Sequence, residues 1–392
     1  MDKYLFYSVC FLIGVGIVFS YSLSTYTVLY FGYSDFHFFA RQAIVGILCI
    51  GMIFSFSFFN PDRHLHILGI SIFIFSLFLM SIMHFLPESM VTSAGGARRW
   101  IRLPGFSLAP VEFFKVGFIY FLAWSFNRKL GHKKRKVLEE FKVLFPYFAI
   151  FILIIYLIAI MQNDLGQIVV LAFTFAFMAL FAGASAKFFA LLTSGIVSVA
   201  MLFIFTSPHR ILRIKSWWSN IQDMVLSVLP ESFSTILRVE NLVEPYQISH
   251  SLNAIHNGGI FGQGLGNGIF KLGYLSEVHT DFVLAGIAEE LGLISLVFIT
   301  SIVFFVIYRI LRIANRIENR VFYLFSFGIG SMLGFSFLMN AYGITSITPI
   351  KGIAVPFLSY GGSSLIASSL AIGLVIMISK KTSKNFKKLG KN

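Results

Sequence analysis

Residues 282–308 read FVLAGIAEELGLISLVFITSIVFFVIY, and only Glu289 and Glu290 are charged in that run of 27. About 20 apolar residues carry a helix across the hydrocarbon of a bilayer, so this stretch is long enough to span. A helix that is apolar all round belongs either in a membrane or in the core of a large protein. The two carboxylates lie two turns below Phe282. At that depth they need partners, so they mark a polar interior or a lock between helices.

Working outward, nine more runs of spanning length lie near 4–27, 38–59, 66–86, 109–126, 143–162, 166–184, 188–206, 321–340 and 354–379. The composition agrees. The chain is 57% hydrophobic and 12% charged, against roughly 45–50% and about 25% in soluble domains. A water-soluble core of this size cannot hide that surplus. The 47 phenylalanines suit lipid-facing bulk, and Trp and Tyr near segment ends suit the interfacial belts. Met1-Asp2-Lys3 leads into the first run without a small-residue cleavage site, so that run is read as a retained span. Cys10 and Cys49 lie inside apolar runs, lack metal-site spacing and are not read as a disulfide. The expectation is an all-α polytopic membrane protein of about ten helices, one domain over 1–392.

The net charge of +14 is read through topology rather than as a nucleic-acid footprint. Lys and Arg collect in the connections 127–142 and 309–320 and in the tail from about 380 to 392. With ten spans these share a side with the N-terminus, and the positive-inside bias makes that side the cytoplasm. The tail reads as a solvated anchor at lipid headgroups. The long connection, about 207–280, then forms one large extracytoplasmic loop between the seventh and eighth helices. Its stretch Ile211–Leu229, with Trp217 and Trp218, looks like an amphipathic interfacial piece.

Several residues run against plain membrane logic. Arg98, Arg99 and Arg102 crowd a short outer loop. Arginine forks match phosphate oxygens, although headgroup snorkelling is the plainer account. Pro110-Val111-Glu112-Phe113-Phe114-Lys115 opens the fourth span, with Glu112 and Lys115 on one face as a structural pair or as functional groups. Asp164 sits in the tight turn Gln162–Gly166, where it fits a helix N-cap. The run from Gly258 to Gly268 is no dinucleotide fingerprint, because no βαβ unit surrounds it. It reads as a flexible outer loop or a close ligand approach. Asp281 lies at the outer boundary of the run 282–308, as an N-cap or as a general base that water can reach. Asn340, Thr348–Gly352 and Pro356–Ser364 fit close helix packing or a cavity lining. Together these features describe an outward-opening cavity suited to an amphiphilic anion such as a lipid-linked phosphate. Residue types alone do not separate an enzyme from a transporter.

Taken in order, the motifs resemble the SEDS family (FtsW, RodA, SpoVE). They are GARRW at 96–100, Pro110-x-Glu112-x-x-Lys115, Asp164-Leu165-Gly166, the glycine run 258–268, His279-Thr280-Asp281-Phe282 with Glu289-Glu290-Leu291-Gly292, and Pro356 to Ser364. Arg98-Arg99-Trp100 and Pro349-Ile350-Lys351-Gly352 look more like the division branch than the elongation branch. The resemblance implies ten spans with both termini cytoplasmic. It also implies polymerisation of lipid II into glycan strands at the outer face of the bacterial cytoplasmic (inner) membrane, at the division septum. The implied partners are a class B penicillin-binding protein as transpeptidase and other division proteins, with no nucleic acid.

Asp281 matches the family's essential aspartate, and Glu112 and Lys115 match its membrane-embedded pair. Arg98, Arg99, Glu112, Lys115, Asp164, His279, Lys351 and Ser359 become candidates for substrate contact. Gly259, Gly264, Glu289, Glu290, Pro356, Gly361 and Gly362 become supporting residues. Ser276 stands where the family often has Pro, His250 where Gln is common, and 219–244 is longer than usual. No residue set is assigned to a metal, and a divalent cation (Mg or Mn) is left open as a helper of charge stabilisation. The rival readings are a lipid II flippase and a non-catalytic scaffold of the division machinery.

Overall fold

The computed structural model describes residues 1–87, 89–94, 97–103, 106–130, 137–205, 208–227, 230, 237–239, 246–349 and 352–389. The helices are α1 (Lys3–Ser22), α2 (Thr25–Phe31), α3 (His37–Phe56), α4 (Pro61–Ile82), α5 (Pro110–Lys129), α6 (Val137–Ile155), α7 (Leu165–Phe181), α8 (Ala186–Phe205), α9 (Pro208–Leu226), α10 (Tyr246–Gly258), α11 (Val283–Ala314), α12 (Arg320–Ile344) and α13 (Gly362–Leu389). Each of the ten apolar runs falls on one helix: α1, α3 to α8 and α11 to α13. Seven of these, namely α1, α3, α4, α6, α11, α12 and α13, are long and apolar enough to cross a membrane by length and composition. Helix α7 and the Ala186–Val199 part of α8 are shorter apolar helices.

Helix α5 carries Glu112 and Lys115, yet it occupies the middle of the bundle. Phe114, Ile119, Leu122, Ala123 and Phe126 are fully buried. It packs on α4, α7, α12 and α13. The α4–α5 crossing is close enough that a Cβ on Gly117 would lie 2.5 Å from the Phe73 backbone. Small residues at such crossings let helices gain dispersion contact where lipid supplies no hydrophobic drive.

One departure from an all-α chain is a small antiparallel sheet, β1 (Val91–Ala94), β2 (Ala97–Leu103) and β3 (Phe106–Leu108), in that order. Ile101 faces Val91 and Leu108 across the ladders, and Val91 and Ile101 bury themselves with Met83 at the end of α4. The arginine loop is therefore a folded ribbon, which gives its side chains fixed directions.

The second departure concerns the long connection. Helix α9 does form over the amphipathic stretch, but Trp217 donates its indole N–H to the Ser346 carbonyl (2.8 Å) and so docks on the end of α12. Helix α10 then packs along α11. Helix α11 itself is broken at Gly292 (φ 75°, ψ 179°), nine residues below Val283, about 14 Å at the α-helical rise. The glycine run fills this break. Gln263 N and Gly264 N donate to the Glu289 and Glu290 carbonyls (3.0 and 2.8 Å), while Leu293 N and Ile294 N donate to Gly259 and Ile260 (3.0 and 3.3 Å). Backbone groups freed by a helix break must find partners inside a membrane, and this loop supplies them. A Cβ on Gly262 would lie 2.3 Å from the Glu290 carbonyl oxygen, so only glycine fits. Within the long connection expected over about 207–280, residues 246–281 thus form a hairpin packed against α11. The hairpin is too polar to register as an apolar run, so its packing was not legible in the sequence.

At the opposite end of the bundle Asp2 pairs with Arg309 of α11, and Asp2 N donates to Ser379 Oγ of α13 (3.2 Å). Lys381 pairs with Asp62 at the start of α4. The N-terminus and the basic end of α13 therefore share one end of the molecule.

Candidate active site

Asp281 ends the hairpin and precedes α11. Three consecutive carbonyls fix its backbone. Tyr360 N donates to His279 O (2.9 Å), Ser359 Oγ to Thr280 O (2.6 Å) and Asn340 Nδ2 to Asp281 O (2.6 Å). The clamping groups are themselves held. Ser359 Oγ accepts from Val355 N (2.8 Å), Asn340 Nδ2 also donates to Ile353 O (2.8 Å), and Gln42 Nε2 donates to Ser359 O (3.3 Å). Side chains on α3 and α12 and the 353–360 segment thus converge on three residues.

The Asp281 side chain is partly buried and its acidity is shifted. Burial, with repulsion from Glu277 and Asp164, pushes the carboxyl up to about 7, and Arg99 works against that rise. A raised carboxyl gains its anionic, proton-accepting form as pH rises through 7. A reaction using Asp281 as base is expected to show an ascending limb in kcat near pH 7, rather than near the ordinary carboxylate value of about 4. Stability runs the other way: the folded value lies above 3.8, so ionisation between these values disfavours the folded state. A pH–rate profile checks the first point, and a limb below about pH 5 would remove Asp281 from the base role.

Gly352 packs directly on this carboxylate; a Cβ there would lie 2.7 Å from Asp281 Oδ2. Gly352→Ala must therefore push the carboxylate aside. Displacements of about 1 Å can cost roughly 10²-fold in rate. The expected result is a kcat loss of that order with substrate affinity nearly kept, and a wild-type rate in the alanine variant would show that the carboxylate has room to move.

Arg99 reaches the same region from β2. Its Nε and Nη2 donate to the carbonyls of Gln162 (3.0 Å) and Asn163 (2.6 Å), and Nη1 lies 3.8 Å from Asp164. Asp164 caps α7 through Gln167 N (3.3 Å). Its burial raises its carboxyl and the Arg99 guanidinium lowers it. Beside them Glu112 and Lys115 pair at 2.9 Å, Lys115 Nζ donates to Gln167 Oε1 (2.8 Å), and Gln167 Nε2 donates to Glu112 Oε1 (3.0 Å). This closed triad lines a cavity of about 10 Å³ with Ser336, Ser364 and Ser368, room for about one water.

The arrangement is a conformationally fixed carboxylate of raised basicity, with a guanidinium acting on it and a buried ammonium close to Asp164. Residues 3–384 match the profile FTSW_RODA_SPOVE, described as a cell cycle protein. The chain belongs to the FtsW/RodA/SpoVE family. It is 47% identical over 383 residues to the probable peptidoglycan glycosyltransferase FtsW of Helicobacter pylori, covering 97% of this chain and 99% of that protein. The corresponding protein of Geobacter sp. is 33% identical over 370 residues, covering 93% of each. Among solved structures, a chain of a peptidoglycan synthase complex matches with a TM-score of 0.70 at 22% identity, covering 97% of this chain and 98% of that one. Thermus thermophilus RodA matches at 0.64 and 22%, covering 97% and 96%.

Against the motifs of this family, the structure separates Arg98 from Arg99. Neighbours on a strand point to opposite faces. Arg98 turns back to the His84 carbonyl (3.0 Å), while only Arg99 of the two is among the charges acting on Asp281. His279 is buried between the rings of Phe38 and Tyr360, with centroids at 5.3 and 5.6 Å, and its Nδ1 has no hydrogen-bond partner. Burial lowers its basicity and nearby Glu277 opposes that shift. Ser359 serves the Thr280 clamp, and Gly361 N donates to Gln42 Oε1 (3.4 Å). Pro356 lines the small cavity, and Gly362 begins α13. Gly259 and Gly264 are part of the plug in α11. Lys351 lies outside the described residues, as do Gly95 and Gly96 of the arginine motif.

Sequence reasoning did not single out Gln42, Gln167 or Lys271, and it left Asn340 between close helix packing and a cavity lining. All four are buried polar residues on or beside apolar elements. That rarity is the signal that could have found them.

Proposed function

We propose that the chain is a peptidoglycan glycosyltransferase that polymerises lipid II at the outer face of the bacterial cytoplasmic membrane. The observation that carries this reading is Asp281, held by three backbone clamps in a setting that raises its carboxyl to about 7. In the proposed step its carboxylate takes the proton from the 4-hydroxyl of the acceptor sugar. That oxygen attacks the donor's anomeric carbon, and the lipid pyrophosphate leaves, so the anomeric configuration inverts. Arg99 keeps Asp281 from rising further and offers positive potential toward the leaving diphosphate. Lys115 adds charge from below, through a triad that fixes its position.

The full-length similarity to proteins named as probable peptidoglycan glycosyltransferases supports this activity. The family's description as a cell cycle protein supports a role in division, and action at the septum is part of the proposed reading. The similarity to a chain from a complex that coordinates polymerisation with crosslinking supports a penicillin-binding transpeptidase as partner. The positive-inside bias supports a cytoplasmic location for both termini. As for a divalent cation, no group of three or more His, Cys, Asp or Glu side chains among the described residues is placed to hold one.

The test uses purified protein with its transpeptidase partner in nanodiscs holding lipid II. Glycan strands are the expected product. No polymer, with lipid II crossing a vesicle membrane instead, would identify a flippase.

A further inference from the structure

Below Asp281 the return arm of the hairpin, residues 269–281, is a succession of turns without helix or strand. Such a segment takes its shape from its anchors. The upper anchors are the three carbonyl clamps. The lower ones are Glu289 and Glu290. Glu289 Oε1 accepts from Ile269 N (2.6 Å), Phe270 N (3.2 Å) and Asn257 Nδ2 (3.0 Å). Glu290 pairs with Lys271 Nζ at 2.7 Å and accepts from Ser22 Oγ on both oxygens (2.6 and 2.7 Å). Lys271 also donates to Gly266 O (2.7 Å) and Ser22 Oγ (3.1 Å). The Lys271 side chain is 3% exposed and that of Glu290 0%.

We propose that Lys271, Glu290 and Ser22 form a buried latch that sets where Asp281 stands, which makes Lys271 and Glu290 positioning residues. The inference rests on the polymerase reading above. The latch joins α1, the hairpin and α11 at one point. Leu275 and Val278, both buried, lie between it and Asp281 and transmit its register. Stability alone does not call for such a pair, since an apolar pair of similar volume is often as stable or more so. What a directional ion pair adds is a single geometry. Lys271 can meet Glu290, Ser22 and the Gly266 carbonyl together in only one register of the turn-rich arm, and that register delivers Thr280 and Asp281 to their clamps.

The test compares wild type, Lys271→Met, Glu290→Gln and the double variant Lys271→Met/Glu290→Met, each full-length in nanodiscs with lipid II and the transpeptidase. Lys271→Met is expected to lower kcat about tenfold or more with KM within about twofold. It should also shift the ascending limb of the pH–rate profile and speed hydrogen exchange over 272–282 but not in α12. Glu290→Gln keeps the hydrogen bonds of Ser22 and Lys271 and should lose less. The double variant should recover thermal stability without recovering kcat. Wild-type kinetics in Lys271→Met would overturn the latch, as would a double variant that regains both stability and rate. If Lys271→Met does not fold, Glu290→Gln carries the same comparison. A wild type that makes no polymer removes the polymerase reading itself, whereas an active wild type beside an equally active Lys271→Met removes only the latch.

Discussion

Asp281→Asn is expected to reduce glycan-strand formation by about 10²–10⁴-fold, the usual span of a general base. Binding of lipid II should change little. The amide keeps the size and the backbone clamps, since these use the carbonyls of 279–281 and not the carboxylate. What it loses is the group that accepts a proton, so the loss should fall on kcat. The substitution also removes a carboxyl whose burial opposes its ionisation, so thermal stability above pH 7 should be equal to or greater than wild type. A folded variant, still bound to its transpeptidase, assayed on lipid II, checks the prediction. Near-normal turnover would mean that Asp281 is a structural cap and that the base lies elsewhere.

The second large effect is on stability. Lys115→Met leaves Glu112 without its cation beside a side chain that is nearly all buried (Lys115 6%, Glu112 12% exposed). Breaking a buried pair from one side costs about 3–5 kcal/mol, because the remaining charge stays uncompensated. Gln167 adds to the loss, since its Oε1 loses the Lys115 donor. Glycan synthesis should fall with stability. Adding Glu112→Gln to Lys115→Met removes the orphaned charge and should recover much of the stability without the activity. Thermal unfolding in detergent measures both steps. An unchanged melting temperature in Lys115→Met would show that the pair is solvated rather than buried.

Much of the site was legible residue by residue. Asp281, Glu112 and Lys115 stood out because ionisable groups at or within a span are costly, and the cost is readable from local sequence. The sense of Arg98 and Arg99 was not legible. Both look alike as residues in an outer loop, and only the register of β2 against β1, set by Val91 and Ile101 burying together, turns one to the site and the other to His84. Asp164 read as an N-cap and is one, but its closeness to Arg99 comes from docking of β2 on the α6–α7 turn.

By itself the sequence determined the solvent, the class of fold and the order of ten apolar runs that become helices. Each of these follows from how much apolar surface a stretch of about 20 residues carries, a property of neighbours along the chain. Only the tertiary structure decided that α11 breaks at Gly292 and that the glycine run plugs the break. It also decided that Glu289 holds the hairpin while Glu290 ties the hairpin to α1, and that Asn340 and Ser359 clamp the segment bearing Asp281. Those choices rest on partners far apart in the chain: Ser22 meets Glu290 across 268 positions and Asn340 meets Asp281 across 59. Buried polar groups must be satisfied by whatever lies beside them in space, and hydropathy along the chain carries no record of which helices will stand side by side.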